Sequence, residues 1–236
     1  MKNFYYNGVK HSGKATLAGL KIIAITLVAV LLLLGLSWLA VYVGSHILEI
    51  YSAIFVLWII FAAFTLYFFR DPEALTPTGP NLVISPGHGT VDVIDTTTEN
   101  EFMGGECKRI SIFLSVFNVH VQNAPVTGRV AYFKHTPGQY LSATKSSCAQ
   151  FNENVYLGVD AVDPRGQKIG VRLIAGLIAR RIIPWVGQND AMQRGERMSL
   201  IQFGSRVEVY LPMNAKIKAM IGQKVIGGET VLATFD

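Results

Sequence analysis

The chain has 236 residues, half of them hydrophobic and only 16% charged, with a net charge of +5. Soluble domains carry about 25% charged residues, and here the deficit is concentrated: residues 22–43 and 50–69 contain no Asp, Glu, Lys or Arg. Those two runs exclude an ordinary soluble protein. The charge is uneven too. Lys2, Lys10, Lys14 and Lys21 precede residue 22 with no acid among them, whereas residues 70–236 together come to only +2. The basic excess is largely a property of the tail, which argues against a nucleic-acid partner, since that would place a basic face on the folded domain.

In chain order, residues 1–21 read as a basic tail. Runs of 22 and 20 residues would span about 33 and 30 Å as helices, against a hydrocarbon core about 30 Å thick. The rest of the chain is too small to bury two wholly apolar helices, and the first run is too long for a cleaved signal peptide. The short joining segment 44–49 implies an antiparallel hairpin, so residues 22–69 form a two-helix membrane unit. Lysines before it and Arg70 after it place both ends on the cytoplasmic side by the positive-inside rule. Trp38, Tyr42, Tyr51, Trp58 and Tyr67 lie near or within the spans, several of them suiting an interfacial aromatic belt, and His46 suits a solvated loop at the opposite interface.

From Arg70 the character changes. Pro72, Pro77, Gly79 and Pro80 mark a linker. Short runs rich in Val, Ile, Phe and Tyr follow, bounded by Gly, Pro and Asn: 81–85, 90–94, 109–115, 128–134, 168–175, 200–203, 206–211 and 231–235. This spacing indicates antiparallel strands, so residues 70–236 form a mainly-β domain, β-rich α+β, long enough to bury its own core. The stretch 173–183 fits a short helix or a long strand equally. At the C-terminus, strands flanking Gly222 and Gly227-Gly228 resemble the barrel-sandwich hairpin of lipoyl and biotinyl domains. Lys218 would be the carrier lysine there, although a Gly-turned hairpin recurs in many small β folds. Cys107 and Cys148, far apart and without a CxxC partner, read as buried small hydrophobes in a reducing compartment, not as a disulfide or zinc framework. No metal site is indicated.

No HExxH, P-loop or dinucleotide fingerprint appears; Gly87-His88-Gly89 alone is a weak phosphate-loop signal. Gly204-Ser205 lies between two strand runs, where it fits a turn or bulge. It also fits chemistry: a serine hydroxyl is a nucleophile that needs a base, and a preceding glycine tolerates the dihedrals that bring its carbonyl within reach.

Phe69-Arg-Asp-Pro72, Ser85-Pro-Gly-His-Gly-Thr-Val91, Phe113-Leu-Ser-Val-Phe-Asn-Val-His-Val-Gln-Asn-Ala-Pro125, Asn152-Glu-Asn154, Ile174-Ala-Gly-Leu-Ile-Ala-Arg-Arg181 and Phe203-Gly-Ser-Arg-Val207 follow one another in order. The set, covering nearly the whole chain, resembles the short, membrane-anchored, pyruvoyl-dependent type of the phosphatidylserine decarboxylase proenzyme family. The resemblance implies that Ser205 attacks the Gly204 carbonyl to give an ester, that elimination gives a dehydroalanine, and that hydrolysis leaves a pyruvoyl cofactor. Two chains result, 1–204 and 205–236. The Ser205-derived ketone then serves as the Schiff-base site for the serine amine of the phospholipid and as the electron sink for decarboxylation to phosphatidylethanolamine.

By the same resemblance His120 is the acid/base residue, and Asn123 stands where longer members carry a further histidine. Two departures stand out: His88 replaces the usual Asp, so that it is a candidate maturation base, and Ser199 replaces a common glycine. Arg206 is the candidate substrate-binding residue, with Arg180, Arg181 and Arg197 also suited to a phosphate or carboxylate. The implied location is a bacterial inner membrane, with the catalytic domain facing the cytoplasm. Two other readings remain: a decarboxylase of another serine-headgroup lipid, and an uncleaved, inactive membrane-anchored β module that binds a partner.

Overall fold

The computed structural model describes residues 13–40, 47–177, 181–202 and 204–236. The expectations for the tail 1–12, Tyr42, His46, Arg180 and Phe203 lie outside the described residues. Two compact units are present, residues 13–71 and residues 72–236.

The first unit is a helical pair, α1 (Lys14–Ala40) and α2 (Ile47–Phe68). Both are long and apolar enough to cross a membrane, and their apolar side chains are unburied: Leu32 is 64% exposed, Trp38 82% and Ile60 59%. Their packing is antiparallel, since the start of α1 meets the end of α2. A Cβ on Gly19 would come within 2.9 Å of the Phe69 Cβ. Midway, Trp58 donates its indole N–H to Thr26 Oγ1 at 2.9 Å, so this tryptophan is a tie between helices and not part of an interfacial belt. The hydroxyls of Thr26, Ser52 and Thr65 bond back to carbonyls one turn earlier, which satisfies them without water. At the end of α2, the Arg70 guanidinium stacks 4.0 Å from the centroid of the Tyr67 ring.

The second unit is built of strands: β1 (Leu82–Ile84), β2 (Gly89–Glu99), β3 (Gly105–Leu114), β4 (Val121–Asn123), β5 (Thr127–Thr136), β6 (Asn154–Asp163), β7 (Lys168–Ala175), β8 (Ile182–Pro184), β9 (Ala191–Met192), β10 (Arg197–Ile201), β11 (Ser205–Leu211), β12 (Lys216–Ile217), β13 (Lys224–Val225) and β14 (Val231–Thr234). A short 3-10 turn covers Ser146–Gln150. The main sheet runs β13-β2-β3-β11-β7-β6-β5-β9, and two three-stranded sheets run β1-β14-β12 and β4-β10-β8. No closed barrel forms among the described residues. The core gathers Val91, Ile110, Ile112, Leu157, Val171, Leu173, Val207 and Val209 from the central strands, all fully buried.

Three expectations change. The 173–183 stretch is neither one helix nor one strand: β7 stops at Ala175, and β8 starts at Ile182 in a different sheet. The barrel-sandwich character of the C-terminal hairpin is not confirmed. β12 pairs with β14, and β13 pairs with β2, because Gly222, at φ +84°, turns the chain so that its N–H bonds to Val91 O at 2.7 Å. Lys218 consequently sits outside any paired turn, with its backbone N–H bonded to Leu232 O. Finally, a strand forms where no run was singled out: β6, ten residues long, is buried from Asn154 to Val159 and so lacks alternation over that part.

Candidate active site

β11 lies at the middle of the main sheet, hydrogen-bonded to β3 on one side and β7 on the other. Its first residue, Ser205, pairs with both Leu114 and Ala175. The serine is fully buried, and its Oγ has no hydrogen-bond partner among the described residues. A buried hydroxyl without a partner costs free energy, so its presence here calls for a reason beyond packing.

The residue before it adopts a conformation that only glycine takes readily: Gly204 has φ +72°. Its carbonyl oxygen points at Gly176, just past β7, where a Cβ would lie 2.4 Å from that oxygen. Gly176 is therefore the clearance into which the Gly204 carbonyl projects.

The third element is His120, immediately before β4 and fully buried. Gly204 N–H donates to His120 Nε2 at 3.0 Å. Nε2 must then carry the lone pair, so Nδ1 carries the proton and donates to Asn118 O at 3.0 Å. Asn118 is itself fixed: its Oδ1 accepts from both the N–H and the hydroxyl of Ser115, each at 2.9 Å. Behind the ring, His120 O accepts from Ile201 N–H at 3.1 Å and from Gln122 Nε2 at 2.6 Å. Gln122 Oε1 in turn accepts from Ser199 Oγ at 2.7 Å. Gln122 and Ser199 are both fully buried, so the Ser199 hydroxyl is tied through Gln122 to the backbone carbonyl of His120.

The remaining candidates fall elsewhere. His88 is half-buried in the turn entering β2, where its ring edge packs against Gly227; a Cβ there would lie 2.9 Å away. Ser205 Oγ bonds to neither histidine. Asn123 turns away from His120, donating to Gly195 O at 2.9 Å, while its N–H holds Pro86 O at 2.8 Å.

Arg206 does not serve as an exposed ligand-binding cation. It is fully buried, pairs bidentately with Asp92 at 2.6 Å, and donates to Ser111 Oγ and Ala143 O. Alternation along β11 explains this, because neighbours of Ser205 face the other side of the sheet. Arg197 is 5% exposed and pairs with Glu73; Arg181 is exposed.

A mostly apolar pocket of about 260 Å³ opens over Gly204, lined by Phe113, Leu114, Val116, Ala143 and Leu177, with Ser115, Ser142 and Thr144 supplying hydroxyls. Asn152 stitches its walls together: its amide bonds Leu141 through both N–H and C=O and also reaches Ala175 O. A second hollow of about 570 Å³ is polar, and several of its charges are paired: Arg109 with Asp95 and Lys134 with Glu101. In it, burial alone would raise the Glu99 carboxyl, but the N–H groups of Met103, Glu101 and Phe102 and the Tyr156 hydroxyl together hold it below the usual range. Among the described residues no group of three or more His, Cys, Asp or Glu is placed to hold a metal ion.

The chemistry this arrangement allows is intramolecular: a dry hydroxyl next to a carbonyl held in an unusual conformation, with an oriented imidazole one residue away. Sequence reasoning found Gly204, Ser205 and His120. It did not single out Gly176, Asn118, Gln122, Asn152 or Asp92, whose surroundings depend on cross-sheet pairing; all but Asp92 gave a signal, by lying within the quoted motifs.

A family model described as phosphatidylserine decarboxylase matches residues 61–233. Among curated proteins, the phosphatidylserine decarboxylase proenzyme of Desulfotalea psychrophila is 47% identical over 184 residues, covering 78% of this chain and 84% of that protein. Those of Syntrophus aciditrophicus and Symbiobacterium thermophilum are 44% and 39% identical, covering 73% and 81% of this chain and 80% and 91% of the respective proteins.

Proposed function

The chain belongs to the phosphatidylserine decarboxylase family, and from that premise we propose that it is a self-cleaving proenzyme whose mature form converts phosphatidylserine to phosphatidylethanolamine. One observation carries the reading: the buried, unpartnered Ser205 hydroxyl directly follows a glycine at φ +72° whose N–H is bound by His120 Nε2.

Ser205 Oγ adds to the Gly204 carbonyl carbon as its proton passes to His120 Nε2. The Gly204–Ser205 C–N bond breaks, the freed nitrogen takes a proton, and an ester joins the two residues. Loss of the Ser205 Cα proton expels the Gly204 carboxylate and leaves a dehydroalanine. Water then releases ammonia and leaves a pyruvoyl group on residue 205. The residues fit this group: Gly176 clears space for the carbonyl under attack, and residue 205 stays fixed by ladder pairing on both sides. Once formed, the pyruvoyl group supplies a carbonyl that takes up the substrate amine and accepts the electron pair released with carbon dioxide.

The chain's own residues do the rest. His120 Nε2, once it has let go of the Gly204 N–H to take the serine proton, delivers or removes a proton beside residue 205, with Nδ1–H held on Asn118 O to fix the tautomer. The apolar pocket excludes water from the reacting centre. The helical pair anchors the enzyme in the cell membrane, with residues 72–236 on the cytoplasmic face, where the lipid substrate lies.

Intact mass of the purified protein tests the proposal. Two chains are expected, the smaller comprising residues 205–236 with a blocked N-terminus, and Ser205→Ala should remain one chain. A single uncleaved wild-type chain that nevertheless decarboxylates the lipid would overturn the mechanism. Cleavage with activity only toward another serine-headgroup lipid would overturn the substrate.

A further inference from the structure

Three loops converge on the pocket over Gly204. Val116 Cγ1 lies 3.4 Å from where a Gly204 Cβ would be, Gly176 abuts the Gly204 carbonyl, and Ala143 Cβ comes within 3.2 Å of a Gly176 Cβ. Each loop carries an exposed apolar side chain beside these points: Phe117 is 64% exposed, Leu141 42% and Leu177 61%. Isolated exposed apolar residues need no explanation, but a group around a pocket mouth does.

The charge pattern sharpens the case. Segments 113–125, 138–150 and 173–186, which supply these loops, contain no Asp or Glu in 13, 13 and 14 residues, yet they include Lys145, Arg180 and Arg181. Lys145 and Arg181 are exposed. An apolar rim backed by cations with no acid is the pattern that suits an anionic lipid surface.

Resting on the function proposed above, we propose that this rim is a membrane-docking surface: Phe117, Leu141 and Leu177 enter the headgroup region of the bilayer, and the pocket opens directly onto the lipid. The chemistry of the substrate requires such a device. A two-chain lipid loses too much hydrophobic stabilisation to leave the bilayer for a water-exposed site, and residue 205 is fully buried. The mouth must therefore come to the headgroup. The hairpin keeps the domain near the membrane, but proximity alone does not present the correct face. Apolar side chains at the mouth do, and Lys145 and Arg181 concentrate anionic headgroups there.

The test uses the full chain reconstituted through its hairpin, with self-cleavage verified first. Phe117→Ser/Leu141→Ser is compared with wild type on phosphatidylserine in mixed phosphatidylcholine bilayers and on a short-chain phosphatidylserine dissolved as monomers. The expected result is at least a tenfold loss on bilayer substrate with the soluble activity within twofold of wild type. Equal bilayer activity overturns the proposal. If wild type decarboxylates neither substrate, the functional reading fails instead, and docking is read independently. Leu141→Cys carrying an environment-sensitive fluorophore should then be quenched by brominated lipids, whereas the same label at exposed Val162 should not. Absence of quenching, or a signal that depends on protein density and not on lipid, overturns the surface and points to a second copy.

Discussion

Gly176→Ala isolates the clearance behind the Gly204 carbonyl. The new methyl would stand 2.4 Å from Gly204 O and 3.2 Å from both Gly204 C and Ala143 Cβ. That first contact is about 1 Å inside the ~3.5 Å at which nonbonded atoms rest, and the neighbour is backbone, which cannot swing aside. Gly176 is not in the left-handed region, so alanine adds no intrinsic backbone strain and the effect is purely steric. Overpacking of this kind costs about 1–3 kcal/mol. If the carbonyl moves to accommodate it, the geometry that Ser205 Oγ needs is lost, and the same energy in the barrier slows cleavage roughly ten- to a hundredfold. The assay follows appearance of the 205–236 chain by gel and intact mass, alongside a thermal melt in a Ser205→Ala background to read stability without cleavage. Wild-type cleavage kinetics with an unchanged melt would show that the Gly204 carbonyl does not depend on this clearance.

His120→Ala is expected to leave the proenzyme uncleaved on the same gel, while His88→Ala cleaves within a few-fold of wild type, because His120 Nε2 holds the Gly204 N–H whereas the His88 ring edge packs at Gly227; a block in the latter alone would restore His88 as the maturation base. Ser199→Ala strands Gln122 Oε1 in a dry site, and urea denaturation should report a loss of about 1–3 kcal/mol. Arg206→Met leaves the partly exposed Asp92 and the buried Ser111 Oγ and Ala143 O without their donor, and a cost of about 1–3 kcal/mol is expected, read as a lowered melting temperature with KM for lipid unchanged in whatever folds. Glu99 titrates lower in the folded chain than its ordinary 4.5. Its contribution to stability is therefore full above that value and lost as pH falls through the folded value, so the urea midpoints of wild type and Glu99→Gln should differ at pH 7 and converge in acid.

How much of this was legible depends on range. The two helices were readable because an uncharged run of about 20 residues has few alternatives, although α1 begins at Lys14, eight residues before the uncharged run, since lysine at a helix end is compatible with helical backbone. Strands with bounded apolar runs, such as β7 and β11, were equally readable. β6 was not, being buried on both faces over residues 154–159, and β4, β9, β12 and β13, each of two or three residues, have no pattern of their own and exist only through their partners. At the site, Gly204-Ser205 and His120 were visible as motif chemistry, but that Nε2 faces Gly204 N–H could not be read from positions 84 residues apart. The surroundings of Arg206 were hidden for a related reason: its partner Asp92 lies 114 residues away, and the residue after Ser205 on a strand points to the opposite face.

The place of β11 has a consequence for the order of events during synthesis. Residues 205–236 contribute β11 to the middle of the main sheet, β13 to its edge, and β12 and β14 to a separate sheet with β1. Such a piece, too short to bury a core alone, has no structure to fold into by itself. On the cleavage proposed above, its strands would find their partners only while it is still joined to the rest of the chain, and the cut would come after they are interleaved. Severing one peptide bond then leaves the ladders on both sides of β11 intact. The mature enzyme would thus be a kinetic product of its own precursor: two chains that stay together indefinitely, yet are not expected to reassemble once they have been unfolded and separated.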